Sequence, residues 1–528
     1  MPFFDLFPAQ GSFRPGEPVY LWAELREAAP PGGEFYLTIT HLANEIQQIL
    51  VEISSKQGRQ RQILAWEPPT ESPRGYGARL DFRDSFGNTL ASASTAFDVL
   101  PDWTANPRYG FLTDFAPGRN DVESTLDALL PFHVNGLQFY DWQYRHNHLL
   151  PPTPEFTDPL GRRLSLPTIA AFIEAARPRG MATMPYLVIY AASLEFWENH
   201  PTWALYGENG QPLTFFDFLG LMDPTPGSPW AAHLQAECAR VLAQLPFDGL
   251  HVDQYGEPKT GTNASGQPVD LPAAFGAFIS ALKKDQPAKS VVFNAVGNWP
   301  IETLAASLQD FEYIEVWPPD TAYCDFARIV QGARRLSRER PVVVAVYIPA
   351  ARETNHLLAN AIITACGGSR ILIGEGARLL TNPYFPKHEA LTPQLQAALR
   401  KQLDFAVHYQ ALAGPSAEDW TDYDLQVMGG IWTVGRRAPG WRALHFVNFL
   451  GVEAPHWDKP HASPTSQRNF RIRTRLQQRV RQVWWASADQ ASTGMSRINW
   501  GKRGEWIEAE IPSLDIWGML AFEIDGEE

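Results

Sequence analysis

FDGLHVDQYGEPK, residues 247–259, is an apolar run that ends on a carboxylate. Leu250 and Val252 have the branched apolar character of a buried strand, and Asp253 closes it, followed by Gln254, Tyr255 and Gly256. An acid at a strand tip caps the next helix, pairs with a cation or does chemistry. The choice depends on what the neighbouring segments place beside it.

The same rhythm recurs on both sides. RYGFLTDF (108–115), VNGLQFYDW (134–142) and MATMPYLVIY (181–190) precede the 247–254 strand. SVVFNAV (290–296), EYIEVW (312–317), PVVVAVYI (341–348) and SRILIGEG (369–376) follow it. Amphipathic runs such as ESTLDALLPF, PWAAHLQAECARVLAQL and AAFGAFISALKK lie between them. Eight strand–helix units within residues 103–413 predict an α/β fold, a (β/α)8 TIM barrel. The alternative, an open doubly wound sheet, has no glycine fingerprint after its first strand.

Residues 1–102 change period. PVYLWAEL, GEFYLTITHL, QQILVEIS, GYGARLDFRD and STAFDVL are short strand candidates, with Pro/Gly clusters such as AAPPGG between them. They predict an N-terminal immunoglobulin-like β-sandwich, with PDWTANP (101–107) as the way out of it. From 414 to 528 the β-rhythm returns in QVMGGIWTVG, WRALHFVNFL, RQVWWASA, GEWIEAEIPS and WGMLAFEI, predicting a C-terminal antiparallel β-sandwich.

Bulk properties narrow the function. The net charge of −14 over 528 residues argues against a nucleic-acid partner, which requires concentrated Lys and Arg. No apolar run is long enough to span a membrane. The N-terminus has no basic segment leading into an apolar stretch, so a cytoplasmic location is expected, or a secreted one if a signal has been removed. Cys238, Cys324 and Cys366 form neither a zinc pattern nor a disulfide framework and are expected to be buried thiols. The 18 Trp residues and 12% aromatic content favour a ligand with flat apolar faces, as sugar rings have.

Barrel enzymes place their chemistry at the carboxyl ends of strands. Those ends carry Asp114, Tyr140, Asp141, Trp142, Tyr186, Asp253, Asn294, Glu315, Trp317, Tyr347 and Glu375. They include no serine–histidine elbow, no phosphate loop and no zinc pair. Two acids among aromatic rings suit glycoside hydrolysis. Period-2 geometry selects them: Asp248 opposes Asp253 on the fourth strand, and Glu312 opposes Glu315 on the sixth. Alternate strands feed the same layer, so Asp253 and Glu315 are expected to face each other, Asp253 as nucleophile and Glu315 as general acid/base. Trp317 and Tyr313, on the face of Glu315, are expected to desolvate it and raise its pKa.

Other candidate substrate contacts are His251, which shares the face of Asp253, and Tyr140, Asp141, Trp142 and His146 in FYDWQYRHNHLLPP (139–152). The competing reading of that segment is a structural loop held by an Arg145–Asp141 pair. Asp114 and Glu375 are hydroxyl acceptors or salt-bridge partners.

LQFYDWQYRHNHLLPP, PFDGLHVDQYG, YIEVWP and GGSRILIGEGARLLTNPYFP resemble glycoside hydrolase family 66 over almost the whole chain. That family comprises dextranases and cycloisomaltooligosaccharide glucanotransferases. The resemblance implies a nucleophile at Asp253, an acid/base at Glu315, and first-subsite contacts at Tyr140, Asp141, Trp142 and His146, with Asn294 and Trp317 more loosely matched. It implies a neutral α-glucan substrate, dextran or isomaltooligosaccharide, cleaved at α-1,6 linkages with retention through a covalent glycosyl-enzyme. No cofactor and no metal are implied, and a monomer is expected.

Two departures are informative. Cyclising members carry a carbohydrate-binding module after the seventh strand, whereas here the eighth follows Tyr347 within about two dozen residues. Hydrolysis is therefore expected, with transfer to form linear or cyclic isomaltooligosaccharides as the alternative. Pro185 stands before Tyr186 where the family pattern has Ala.

Overall fold

The computed structural model describes residues 3–54, 60–70, 74–490 and 494–525. Its centre is a curled parallel sheet of short strands: β1 Tyr109–Leu112, β2 Gly136–Phe139, β3 Ala182–Val188 and β4 Gly249–Asp253. β5 Ser290–Val296, β6 Glu312–Glu315, β7 Val342–Ala345, β8 Gly368–Arg370 and β9 Ile373–Gly374 continue it. Each strand from β2 to β8 pairs with its predecessor in parallel, and β9 pairs with β1 through Gly374 and Phe111. Strands covered on both faces read as unbroken apolar runs rather than alternating ones, as in VVVA of β7.

The single eighth strand expected over 369–376 is two pieces, β8 and β9, with Ile371 and Leu372 between them. The first piece is held to β7 and the second to β1, so the ladder changes partner midway. It ends at Gly374 because Glu375, Gly376 and Ala377 all have positive φ (42°, 69° and 68°). That left-handed run folds the chain into an antiparallel pair with Arg378–Leu379.

Helices start where the sequence offers a cap followed by proline. α1 (Leu166–Ala176), α2 (Pro229–Gln244), α3 (Leu271–Asp285) and α4 (Pro393–His408) are capped by Ser165, Ser228, Asp270 and Thr392. Each cap side chain accepts a backbone N–H three residues on, satisfying a donor that has no partner within the helix. Proline at the first or second position loses no hydrogen bond there.

Two antiparallel sheets precede the central one. One consists of Phe4–Pro8, Val19–Leu25 and Gln60–Trp66, the other of Glu34–His41, Asn44–Val51, Arg74–Arg83 and Thr89–Val99. Leu21, Leu37, Leu80 and Phe97 pack between them. Segment 101–107 is anchored by Trp103, whose indole N–H donates to Ser290 Oγ at 3.2 Å. Just beyond it, buried Arg108 donates to both Asp98 oxygens at 2.7 and 2.9 Å, tying the preceding strand to the central sheet.

After α4, a six-stranded and a four-stranded antiparallel sheet enclose Phe446, Trp485 and Phe522. The strand Gln467–Arg475 was not anticipated. Arg471, Arg473 and Arg475 alternate with buried Phe470, Ile472 and Thr474, so only one face is apolar.

Cys238 and Cys366 are buried as expected, but Cys324 is exposed, at the second position of the helix Tyr323–Leu336. No helix among the described residues is long and apolar enough to cross a membrane.

Candidate active site

The carboxyl ends of β4, β5 and β6 bring three side chains together. Asn294, from β5, donates through Nδ2 to Asp253 Oδ1 at 2.8 Å and to Glu315 Oε2 at 2.9 Å. The two hydrogens of an amide nitrogen diverge by roughly 120°, so the bridged carboxylate oxygens lie about 5 Å apart. The opposing acids point elsewhere, as period 2 demands. Asp248 accepts from the Thr183 N–H and hydroxyl at 2.8 and 2.9 Å, and Glu312 pairs with Arg340 at 3.2 Å.

Both central acids are hydrogen-bonded on further sides. Asp253 accepts from the Gln254 N–H at 2.8 Å, and the Tyr186 hydroxyl nearby favours its charged form. Glu315 accepts from the Tyr347 hydroxyl at 2.7 Å, and the Trp317 indole nearby favours its charged form. Burial raises both acids above the ordinary carboxylate range, and the Glu315 charge adds to the rise at Asp253. Two buried acids this close resist double ionisation and hold one proton between them near neutrality.

Tyr140, from the end of β2, stacks on Phe385 with centroids 4.2 Å apart and lies 4.8 Å from the Tyr186 ring. Asp141 and His146 line the same cavity of about 260 Å³ as Tyr140 and Tyr186. Burial pushes Asp141 up to about 7, against the pull of the Arg162 guanidinium, with Asp158 adding to the rise. Burial and the Arg145 charge bring His146 down to about 4, so it is neutral, and its Nδ1 is buried without a protein partner. The expected Arg145–Asp141 alternative does not form. Arg145 lies over the Tyr144 ring at 4.1 Å, and Arg162 takes the place beside Asp141, donating to its carbonyl at 2.9 Å.

Three candidates belong to the scaffold instead. Trp142 is fully buried, its indole N–H donating to the Tyr186 carbonyl at 3.0 Å, because its side chain enters the core behind the strand ends. His251 lies one layer below Asp253, its Nδ1 3.2 Å from the Tyr109 hydroxyl and its ring 5.7 Å from the Tyr109 ring and 6.3 Å from that of Tyr186. Glu375 accepts from the Asp114 N–H at 2.9 Å and from Arg119 at 3.0 Å, so its oxygens fasten the end of β1. Asp114 is exposed and accepts from the Ala116 N–H at 3.1 Å. Trp317 is 37% exposed, with its ring 5.8 Å from Tyr347.

Strand-end reasoning missed the aromatic wall opposite Asp141. Phe215, Phe216, Phe218 and Tyr255 line the cavity, with Tyr384 from the segment after β9. The signal was TFFDFLG (214–220), three phenylalanines in a connecting segment with no helical or alternating period. Among the described residues no cluster of His, Cys, Asp and Glu could hold a metal.

The family profile described as Glycosyl hydrolase family 66 matches residues 10–521. A cycloisomaltooligosaccharide glucanotransferase of Niallia circulans is 28% identical over 377 residues, covering 65% of this chain and 38% of that protein. A second of the same name and organism is 26% identical over 697 positions, covering 98% of this chain and 72% of its own length. That alignment is longer than the chain of 528 residues, so the relative carries segments with no counterpart here. The chain thus spans well under half of the first relative and under three quarters of the second.

A cycloisomaltooligosaccharide glucanotransferase of Paenibacillus sp., solved with cycloisomaltoheptaose, superposes with a TM-score of 0.90 at 20% identity, covering 98% of this chain and 99% of that one. A maltogenic α-amylase of Thermotoga neapolitana reaches a TM-score of 0.53 at 12% identity over 79% of this chain and 99% of that one. These two likenesses are ones of fold.

Proposed function

The chain belongs to glycosyl hydrolase family 66, and on that premise we propose a retaining enzyme that cleaves α-1,6-linked glucan through a covalent glycosyl-enzyme. The observation that carries this reading is the Asn294 amide bridging Asp253 and Glu315 at 2.8 and 2.9 Å. A separation of about 5 Å leaves room for direct attack by one carboxylate but not for an interposed water, as a retaining pair requires. We read residues 103–413 as a (β/α)8 barrel, and 1–102 and 414–528 as an immunoglobulin-like and an antiparallel β-sandwich.

In the first step Glu315 gives its proton to the glycosidic oxygen while Asp253 attacks the anomeric carbon; the C–O bond breaks and an Asp253 ester forms. In the second, Glu315 takes the proton of an incoming hydroxyl, whose oxygen displaces Asp253. Asn294 and Tyr186 stabilise the Asp253 carboxylate before attack and after release.

The incoming hydroxyl is assigned to a sugar, making the protein a transglycosylase that forms linear or cyclic isomaltooligosaccharides. Both curated relatives are named glucanotransferases. Hydrolysis is the second reading, favoured by the short connection from β7 through the helix Glu353–Ala365 to β8. Digestion of dextran, followed by product length, anomeric configuration and reducing-end count, separates them. Products longer than the donor, or non-reducing rings, indicate transfer, and a steady rise in reducing ends indicates water. Initial release of the β-anomer would refute the retaining mechanism.

A further inference from the structure

We propose that the hairpin carrying Phe216 and Phe218 is a donor-side sugar platform, holding glucosyl units beyond the reacting one and setting how strongly the enzyme prefers long chains. The inference rests on the α-glucan reading above and assigns a role to residues outside the catalytic pair.

Three observations support it. First, Phe216 is 73% and Phe218 40% exposed, although both line the cavity that contains Asp141 and Tyr186. Two large rings left open beside the cavity that holds Asp141 and His146 offer the flat apolar surface that the CH faces of a pyranose cover. Second, Phe216 has φ of +49°, a conformation that brings an L-residue's Cβ against its own backbone and persists only where the surroundings impose it. The imposing structure is the small antiparallel sheet of Ala191–Ser193, Leu219–Leu221 and Thr214–Phe215. Third, the hairpin is coupled to the loop after the proposed nucleophile. Phe215 stacks on Tyr255 with centroids 3.8 Å apart and planes 15° apart, and the Tyr255 N–H donates to the Tyr190 hydroxyl at 2.7 Å.

The side of the reacting bond follows from the positions of the acids. A leaving group departs from where it is protonated, on the side of Glu315 with Trp317 just after β6 and Tyr347 just after β7. The Phe216 and Phe218 cavity lies over β2, β3 and β4, on the side of Tyr186 and Asp253. A glucan crossing from one to the other places its non-reducing portion on the phenylalanines.

The test uses Phe216→Ala, Phe218→Ala, the double variant and Phe216→Trp, with reduced isomaltooligosaccharides of increasing length as donors. Losing one apolar stacking face is expected to lower kcat/KM for the long donors about ten-fold, while the shortest cleaved donor is little affected. Phe216→Trp is expected to keep the long-chain preference, and unchanged thermal midpoints would show that the folds are intact. Equal losses at all lengths, or wild-type length dependence in the double variant, would overturn the platform while leaving the α-glucan reading in place. If the wild type makes no product from dextran, that reading fails and the platform with it.

Discussion

Asp253 and Glu315, on strands separated by one other, accept hydrogen bonds from the same nitrogen, Asn294 Nδ2, at 2.8 and 2.9 Å. That shared donor sets the spacing of the two acids and stabilises the charge on whichever is ionised.

Asp253→Asn and Glu315→Gln are each expected to lower kcat by several orders of magnitude, with glucan binding retained in equilibrium measurements. Near-normal turnover in either would remove the role assigned to that residue.

Asn294→Ala removes a donor from both carboxylates. Their pKa values, already raised by burial, rise further because the charged forms lose a hydrogen bond. The acidic limb of the kcat/KM profile, which reports ionisation of the pair's first proton, is expected to move to higher pH, with a loss of about 1–3 kcal/mol in transition-state stabilisation. An unshifted limb would show that the amide only fills space.

The raised pKa of Asp253 carries a stability cost. Its folded value lies above the unfolded one of about 3.9, so the unfolded state ionises first and stability falls as pH rises from there to the folded value. Asp253→Asn removes that loss. Its thermal midpoint is expected to exceed the wild type's at pH 7 and to match it below about pH 4; a lower midpoint at pH 7 would contradict the electrostatic picture.

Glu375→Ala removes the acceptor of the Thr113 and Asp114 N–H groups at the end of β1 and leaves Arg119 with Asp121 as its close carboxylate partner. A stability loss of about 1–3 kcal/mol is expected, read by denaturant unfolding. An intact fold with a raised KM would instead return Glu375 to the substrate.

Much of this was legible in the chain. Strand positions follow from apolar runs such as VVVAV, and helix starts from Ser-Pro and Asp-Leu-Pro caps. The inward direction of Asp253 and Glu315 follows from a period of two, and Asp248 and Glu312 face the other way, toward Thr183 and Arg340, for the same reason. The roles of Trp142, His251 and Glu375 were not legible, because a strand-end residue can face the cavity, the layer below or a neighbouring cation with the same local sequence.

The sequence by itself determined the order of the elements and which acids share a face, since both depend on local periodicity and capping. Only the tertiary structure decided which side chains meet: the Asn294 bridge, the Arg162 that replaces Arg145 beside Asp141, and the phenylalanine hairpin folded over Tyr255. Those contacts join residues dozens of positions apart, and their geometry is set by how the sheet curls, which no local pattern records.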